Sequence, residues 1–339
     1  MRRPTVLLLT VLAALGSWFF VRDLPRPGQS AESPWQSPYM EQPVSHVQPG
    51  VVARRPGETI RVATFNLQVF GATKADKPHV MEVLAGILSR FDVVALQEIR
   101  SNLDDVVPRL VEQINRSGRH YDYVIGPRLG RTNNNEQYAY LFDRNAVEID
   151  RYQLYTVDDP DDLLHREPLV AWFRCVGPAV GDAFTFTLVN VHLDPDEVQR
   201  ELSVLDDVYR AVKSDGRQED DVIVLGDFNA DGATLGQIQH IAGMVAAIQG
   251  IPTNTRGTAQ YDNLVFQRTT TDEFTGRVGV FDFMRQFNFT MNEALEISDH
   301  MPAWAEFSVF EGGSPGRIAT RSSEDGSTQG LIQSPQLSR

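Results

Sequence analysis

Residues 222–232 read VIVLGDFNADG. Val222, Ile223, Val224 and Leu225 are apolar and largely β-branched, and the run is too short for a helix, so it reads as a buried strand. It ends at Gly226 and presents Asp227, Phe228 and Asn229 where the chain leaves the sheet. Ligand sites in α/β folds gather at such carboxyl ends. Gly, Asp and Asn are also ordinary turn formers, so the stretch gains its weight from other apolar runs that finish the same way.

Working outward, residues 60–65 form a strand that ends at Asn66, and residues 91–96 form one that ends in Gln97 and Glu98. Residues 184–191 lead into His192. Residues 261–266 carry Asp262 near their start, and Asp299 and His300 close a polar turn ahead of a last strand at 303–310. Strand patterns at 121–125, 138–142 and 169–176 complete the set. Helical stripes lie between them: Val80, Val83, Leu84, Ile87 and Leu88; then Leu103, Val106, Val107, Leu110 and Ile114, with Pro108 in the first turn or at a kink; then Val198, Leu202, Leu205, Tyr209 and Val212. Asp194 stands before Pro195 and reads as a helix N-cap. Many strands with interspersed helices predict an α/β sandwich, two sheets face to face with helices outside.

The chain has 339 residues, 42% of them hydrophobic, and a net charge of −14. An acidic chain gains little from its overall field when it meets a polyanion. A phosphate substrate therefore calls for bound cations or a local arginine cluster. Residues 115–137 hold Arg116, Arg119, Arg128 and Arg131, which read either as solvated loop charge or as phosphate capture. The single cysteine, Cys175, lies in an apolar strand and reads as a buried structural thiol. Arg2 and Arg3 precede a largely apolar run over 6–21, which marks a membrane anchor or a signal peptide. Both place the remainder outside the cytoplasm. Residues 23–57 read as a Pro/Gly/Ser/Gln-rich linker and 312–339 as a polar tail, leaving 58–311 as the globular domain. Nothing in the sequence calls for an obligate protein partner.

The strand-end residues Asn66, Glu98, His192, Asp227, Asn229, Asp262, Asp299 and His300 share one chemistry. Carboxylates and amides are hard oxygen donors suited to Mg²⁺, with Mn²⁺ and Ca²⁺ as alternatives. Two histidines beside carboxylates offer a general base and a general acid. Metal, histidines and amide donors together describe a phosphoester hydrolysis site.

Phe65-Asn66, Leu96-Gln97-Glu98, Val191-His192, Gly226-Asp227-Phe228-Asn229 and Ser298-Asp299-His300 together resemble the endonuclease/exonuclease/phosphatase superfamily, and within it the deoxyribonuclease I-like branch. Gly130-Arg131, Arg166-Glu167-Pro168, Tyr261-Asp262 and Phe281-Asp282-Phe283 extend the match over about 60–310. The resemblance implies a four-layer α/β sandwich of two packed, mostly antiparallel sheets flanked by helices. It implies a metal at Glu98 with Asp299 nearby and Asn66 in support. Asn66, Asp227 and Asn229 would orient phosphate and water. His192 with Glu136, and His300 with Asp262, would be the acid–base couples, their order left open. Arg100, Arg166 and Arg131 would hold phosphates.

The chain departs from the branch at Gln68 and Asn263, where arginines are usual, and at Asn134, where a tyrosine is usual. The branch's disulfide cysteines are absent around Gly232, Ala259 and residues 158–164. Each lost groove contact would cost about 1–3 kcal/mol on duplex DNA. The expected activity is extracytoplasmic, metal-dependent DNA cleavage with little sequence preference. The alternative is a phosphodiesterase or phosphatase acting on lipid head groups or small phosphoesters.

Overall fold

The computed structural model describes residues 58–131 and 135–313. Its strands, in chain order, are β1 Thr59–Phe70, β2 Val93–Ile99, β3 Tyr121–Ile125, β4 Gln137–Asp143, β5 Val147–Ile149, β6 Tyr155–Thr156, β7 Leu169–Cys175, β8 Thr185–His192, β9 Val222–Asp227, β10 Met244–Ala246, β11 Asp262–Gln267, β12 Phe274–Val280 and β13 Ala303–Ser308. The helices are α1 Ala72–Ala75, α2 Pro78–Leu88, α3 Val106–Asn115, α4 Val198–Leu202, α5 Leu205–Lys213, α6 Phe283–Gln286 and α7 Met291–Ile297. One sheet runs β12-β13-β1-β2-β4-β3 and the other β10-β11-β9-β8-β7-β5, with β6 beside β7. Each sheet is antiparallel apart from one central parallel pair, β1 with β2 and β8 with β9.

Three apolar layers hold this arrangement. The inner layer lies between the sheets and is rich in aromatics: Phe184 stacks on Phe186 at 4.8 Å and lies 5.9 Å from Phe307. Each such pair adds about 0.5–1.5 kcal/mol beyond its burial. The outer layers pack α2, α3, α6 and α7 on the first sheet, and α4 and α5 on the second. This is the four-layer sandwich expected from the sequence.

The parallel pairs decide where a site can form. Along β8, Phe186 and Leu188 face the inner layer; Asn190 and His192 continue the same face. Along β9, Ile223 and Leu225 face inward and Asp227 follows at the same period. The inner face thus turns from apolar to polar at the carboxyl ends of the central strands. The transition is a buried hydrogen-bonded layer: Gln97 Nε2 donates to Asn190 Oδ1 at 2.7 Å and to Thr64 Oγ1 at 2.9 Å, joining the sheets.

All nine strands read from the sequence are present, as are the three helical stripes, the third of them divided at Ser203 and Val204 into α4 and α5. Four strands escaped that reading. β5, β6 and β10 have only two or three residues, and β12 carries Gly276 and Gly279 on a largely half-exposed edge without alternation. Leu103 does not join its stripe; it precedes α3 and is 58% exposed. Pro108 does sit in the first turn of α3. Asp194 is not an N-cap. It accepts from the Asp196 amide at 2.9 Å in a turn, and α4 starts later, capped by Glu197. Glu201 reaches back from α4 to accept from the Asp194 amide, which keeps this turn apart from the helix. Cys175 is buried, as expected. The loop where the cysteines are missing is held by hydrogen bonds instead. Asn263, fully buried, accepts from the Ile248 amide and donates to its carbonyl, and Gln260 donates to the same carbonyl.

The anchor or signal segment 1–22, the linker 23–57, Asn134 and all but the first two residues of the tail lie outside the described residues. Gly312, at the start of that tail, is buried against Glu273. Among the described residues no helix is long and apolar enough to cross a membrane.

Gly226 has φ +151°, and a Cβ there would overlap the Val191 carbonyl of the neighbouring parallel strand. Gly226→Ala is therefore expected to cost about 3 kcal/mol of unfolding free energy in urea. Gly181→Ala, with nothing within 4 Å, is expected to cost less than about 0.5 kcal/mol. Equal penalties would refute the close approach.

Candidate active site

Seven of the strand-end residues converge at the mouth of the sandwich. Asn66, Glu136, Asp227 and Asp262 are at most 1% exposed, His192 is 6% and His300 8% exposed. Asp227 lies opposite both His192 on β8 and Asp262 on β11 in the strand register. Its Oδ2 is 3.6 Å from His192 Nε2, 3.5 Å from His300 Nε2, and 3.0 Å from Asn66 Nδ2. The far nitrogens of the two rings have carboxylate partners: His192 Nδ1 with Glu136 at 2.7 Å, and His300 Nδ1 with Asp262 at 2.8 Å. Both imidazoles are therefore fixed with Nε2 turned toward one carboxylate.

Backbone strain marks the same place. Gln68, Val69, Glu98 and Asn229 all have φ between 47° and 58°, a region that is costly for a β-branched or long side chain. At Glu98 it interrupts the alternation of β2: Leu96 and Ile99 both pack outward, and the pairing with β4 shifts between them. The Glu98 side chain is thereby left at the sheet end, accepting from Asn66 Nδ2 at 3.2 Å and from the Val69 amide at 2.9 Å. At Asn229 the strained turn lets the Asp227 carboxylate accept the Asn229 amide at 2.9 Å.

The remaining expected residues divide. Arg100 reaches Glu98 and Glu136, each at 3.3 Å, with its side chain 25% exposed. Arg166 is 7% exposed and turned inward; it donates to the His192 carbonyl at 3.0 Å and lies 3.4 Å from Glu136. Asn229 Nδ2 donates to the Leu193 carbonyl. Asp299 is 46% exposed at the rim, 3.9 Å from His300 Nε2. Arg131 is not brought to the cluster: it is engaged by Asp162, Glu197 and the Leu164 carbonyl.

Four groups were given no role from the sequence, although Ser298 stands in the Ser298-Asp299-His300 motif. Ser298 Oγ donates to the Asn66 carbonyl and accepts from the His300 amide, tying the two ends of the site together. The Tyr138 hydroxyl accepts from the His192 amide. Thr253 Oγ1 accepts from the Tyr261 and Asp262 amides. Lys74 Nζ donates to the carbonyls of Leu67, Gln68 and Ile297, holding the strained loop. Burial lowers the Lys74 pKa to about 8 against the opposing pull of Asp299 and Glu98. Hydroxyls and a lysine at such positions have no pattern in sequence that separates them from ordinary turn and surface residues.

Burial lowers the His192 and His300 pKa values, and in both the carboxylates prevail. Glu136 and then Asp227 raise His192; Asp262 and Asp227 raise His300 to about 10. Burial pushes the Asp262 carboxyl up, against the His300 charge. Ligand atoms of Asp227, Asp262 and His300 all lie within 4.8 Å of one another. Within this trio the two carboxylates raise the proton affinity of the His300 ring between them. Asn66 turns N–H, not oxygen, toward Glu98, because its Oδ1 already accepts from the Gln68 amide. Glu98 and the half-exposed Asp299 offer carboxylate oxygens of the kind a hard divalent cation takes.

The endonuclease/exonuclease/phosphatase family matches residues 63–281. The chain is 31% identical over 260 residues to deoxyribonuclease gamma of Mus musculus, across 72% of this chain and 83% of that protein. It is 34% identical over 265 residues to deoxyribonuclease-1-like 1 of Bos taurus, across 74% and 82%. This chain belongs to the endonuclease/exonuclease/phosphatase family. As a member of that family it is a hydrolase acting on phosphoester bonds, of the deoxyribonuclease I-like kind. The crystal structure of truncated TDP2 from Caenorhabditis elegans superposes with a TM-score of 0.50 at 14% identity, over 74% of this chain and 97% of that one, which speaks for the fold alone.

His300 takes its extra proton affinity from the folded state. Its pKa is raised from 6.5 to about 10, so the stability it contributes is complete below pH about 6.5 and fades as the pH rises through about 10. Asp262→Asn keeps the shape and removes the charge. With EDTA present it is expected to lower unfolding free energy by about 2 kcal/mol at pH 6, and by clearly less at pH 10. Urea unfolding at the two pH values checks this; an equal penalty at both would refute the ion pair.

Proposed function

We propose that this enzyme is a metal-dependent endonuclease that cuts DNA with little sequence preference, using its two histidine–carboxylate couples as acid and base. The observation that carries the reading is the convergence of His192 Nε2 and His300 Nε2 on one Asp227 oxygen, at 3.6 and 3.5 Å. A phosphorus atom seated over Asp227 lies within reach of both rings. One Nε2 takes a proton from the attacking water, and the other gives a proton to the departing oxygen. Glu136 and Asp262 hold each ring in the tautomer this needs and stabilise the charged imidazolium. Asn66 and Asn229 keep the Asp227 carboxylate oriented. A divalent cation such as Mg²⁺, held by Glu98 with Asp299, would supply charge for the phosphate oxygens.

The substrate class comes from the deoxyribonuclease relatives. Arg100, partly exposed beside Glu98 and Glu136, is placed to take a phosphate oxygen, whereas Arg166 positions the His192 backbone and Glu136. A groove of about 870 Å³ extends from the site past Asn229 and Tyr261, lined by Ala230–Thr234 and Gln249–Gly250, and gives a flanking strand somewhere to lie. Gln68 and Asn263, standing where arginines are usual, leave fewer side chains to read bases in a groove, which supports little sequence preference. The positive-flanked apolar run at the N-terminus supports action outside the cytoplasm, at a membrane or after release.

The full chain with Mg²⁺ is expected to nick supercoiled plasmid, and EDTA to stop it. His192→Ala, His300→Ala and Glu98→Ala should each lower the rate about 10²–10⁴-fold. RNA and sphingomyelin tested alongside separate the readings: head-group release without nicking would overturn the nuclease assignment in favour of a lipid phosphodiesterase.

A further inference from the structure

At the other end of β9 from Asp227, about 20 Å away at strand rise, Asp221 immediately precedes the strand. It meets Glu273, which precedes β12, and Glu311, which follows β13. One carboxylate oxygen from each of the three lies within 4.8 Å of the others. Asp221 is 1% and Glu273 2% exposed. Asp221 Oδ1 and Glu273 Oε2 have no hydrogen-bond partner. The other Glu273 oxygen accepts from the Gly312 amide at 2.5 Å, and Glu311 Oε2 accepts only weakly from the Thr185 amide at 3.4 Å.

An independent group points into the same place. The Thr271 hydroxyl is fully buried beside the Asp221 carboxylate, whose charged form it favours, and it has no partner within 3.5 Å. The strongest charges acting on Asp221, Glu273 and Glu311 are other carboxylates, including Glu219, Asp220 and Asp272. Burial, reinforced by that repulsion, pushes Glu273 and Glu311 up to about 7 and Asp221 well above its usual range. A proton shared between two carboxyls settles one pair. A multivalent cation would settle three carboxylates and the hydroxyl together.

We propose that Asp221, Glu273 and Glu311, with the Thr271 hydroxyl, hold a calcium ion that clamps the end of the sandwich opposite the active site. All donors are oxygen, which excludes soft metals. They are irregularly disposed and come from separate segments, which suits the flexible coordination of Ca²⁺ better than the regular octahedron of Mg²⁺. The clamp joins the start of β9 in one sheet to the edges of β12 and β13 in the other. Backbone bonds already meet there: Thr187 N–H to the Asp221 carbonyl, and Ser308 N–H to the Glu273 carbonyl. None of these residues belongs to the phosphoester site, and the clamp does not depend on the substrate assignment.

Trp172 supplies the readout, because its indole Nε1 donates to Glu219 Oε2 at 2.7 Å, beside Asp220 and Asp221. Full chain stripped with chelator is titrated with Tb³⁺ and excited through tryptophan. Sensitised emission that Ca²⁺ displaces is expected in the wild type and in Glu98→Gln, and lost in Glu273→Gln and Trp172→Phe. Ca²⁺ should raise the thermal midpoint of Glu98→Gln but not of Glu273→Gln. Glu311→Gln, at a partly exposed position, is the second variant should Glu273→Gln not fold. Emission and a Ca²⁺-induced shift that survive both clamp variants would overturn the proposal, leaving the three carboxyls to share protons.

Discussion

The Asp227 carboxylate is the constraint on which the site depends. It is buried, it sits where β8, β9 and β11 come abreast, and one of its oxygens faces two imidazoles and an amide. A lone buried carboxylate is costly, so this position is tolerable only while those partners are present. The partners depend in turn on Glu136, Asp262 and Glu98, each delivered by a different strand. The result is a connected set in which every charge near phosphorus has its orientation fixed before substrate arrives.

The sandwich builds this set with little machinery of its own. Two central parallel pairs point their carboxyl ends to one side, and the period of two along each strand carries the inner face outward from apolar packing to polar groups. The layer of Thr64, Gln97 and Asn190 makes that change gradual, because each buried polar atom there finds a partner in the opposite sheet or strand. The departures from regular strand geometry at Gln68, Val69 and Glu98 then aim the Glu98 carboxylate. Lys74 and Ser298, far apart in the chain, hold those departures in place.

The two ends of the sandwich answer charge crowding differently. At the mouth, carboxylates are interleaved with imidazoles, amides and guanidinium groups. At the far end, Asp221, Glu273 and Glu311 face one another with backbone N–H groups as their main relief. Both lie at the ends of β9, so the strand whose reading opens the sequence also links the two charge clusters through its apolar middle.

The fold class, nine of the thirteen strands among the described residues, the helical stripes and the members of both histidine–carboxylate pairs were legible in the sequence. Apolar runs of period two and 3.6 are local properties, and a polar residue at a strand end is visible without knowing what faces it. The short edge strands were not legible, because two or three residues carry no period. Nor was the turn at Asp194, where Glu201 competes for the backbone that a cap would use. The inward turn of Arg166, the diversion of Arg131 to Asp162 and Glu197, and the parts played by Ser298, Thr253 and Lys74 were decided by tertiary structure alone. A side chain's partner is set by which strands lie abreast and which face is inside, and those contacts join residues as many as 232 positions apart, where sequence spacing holds no information.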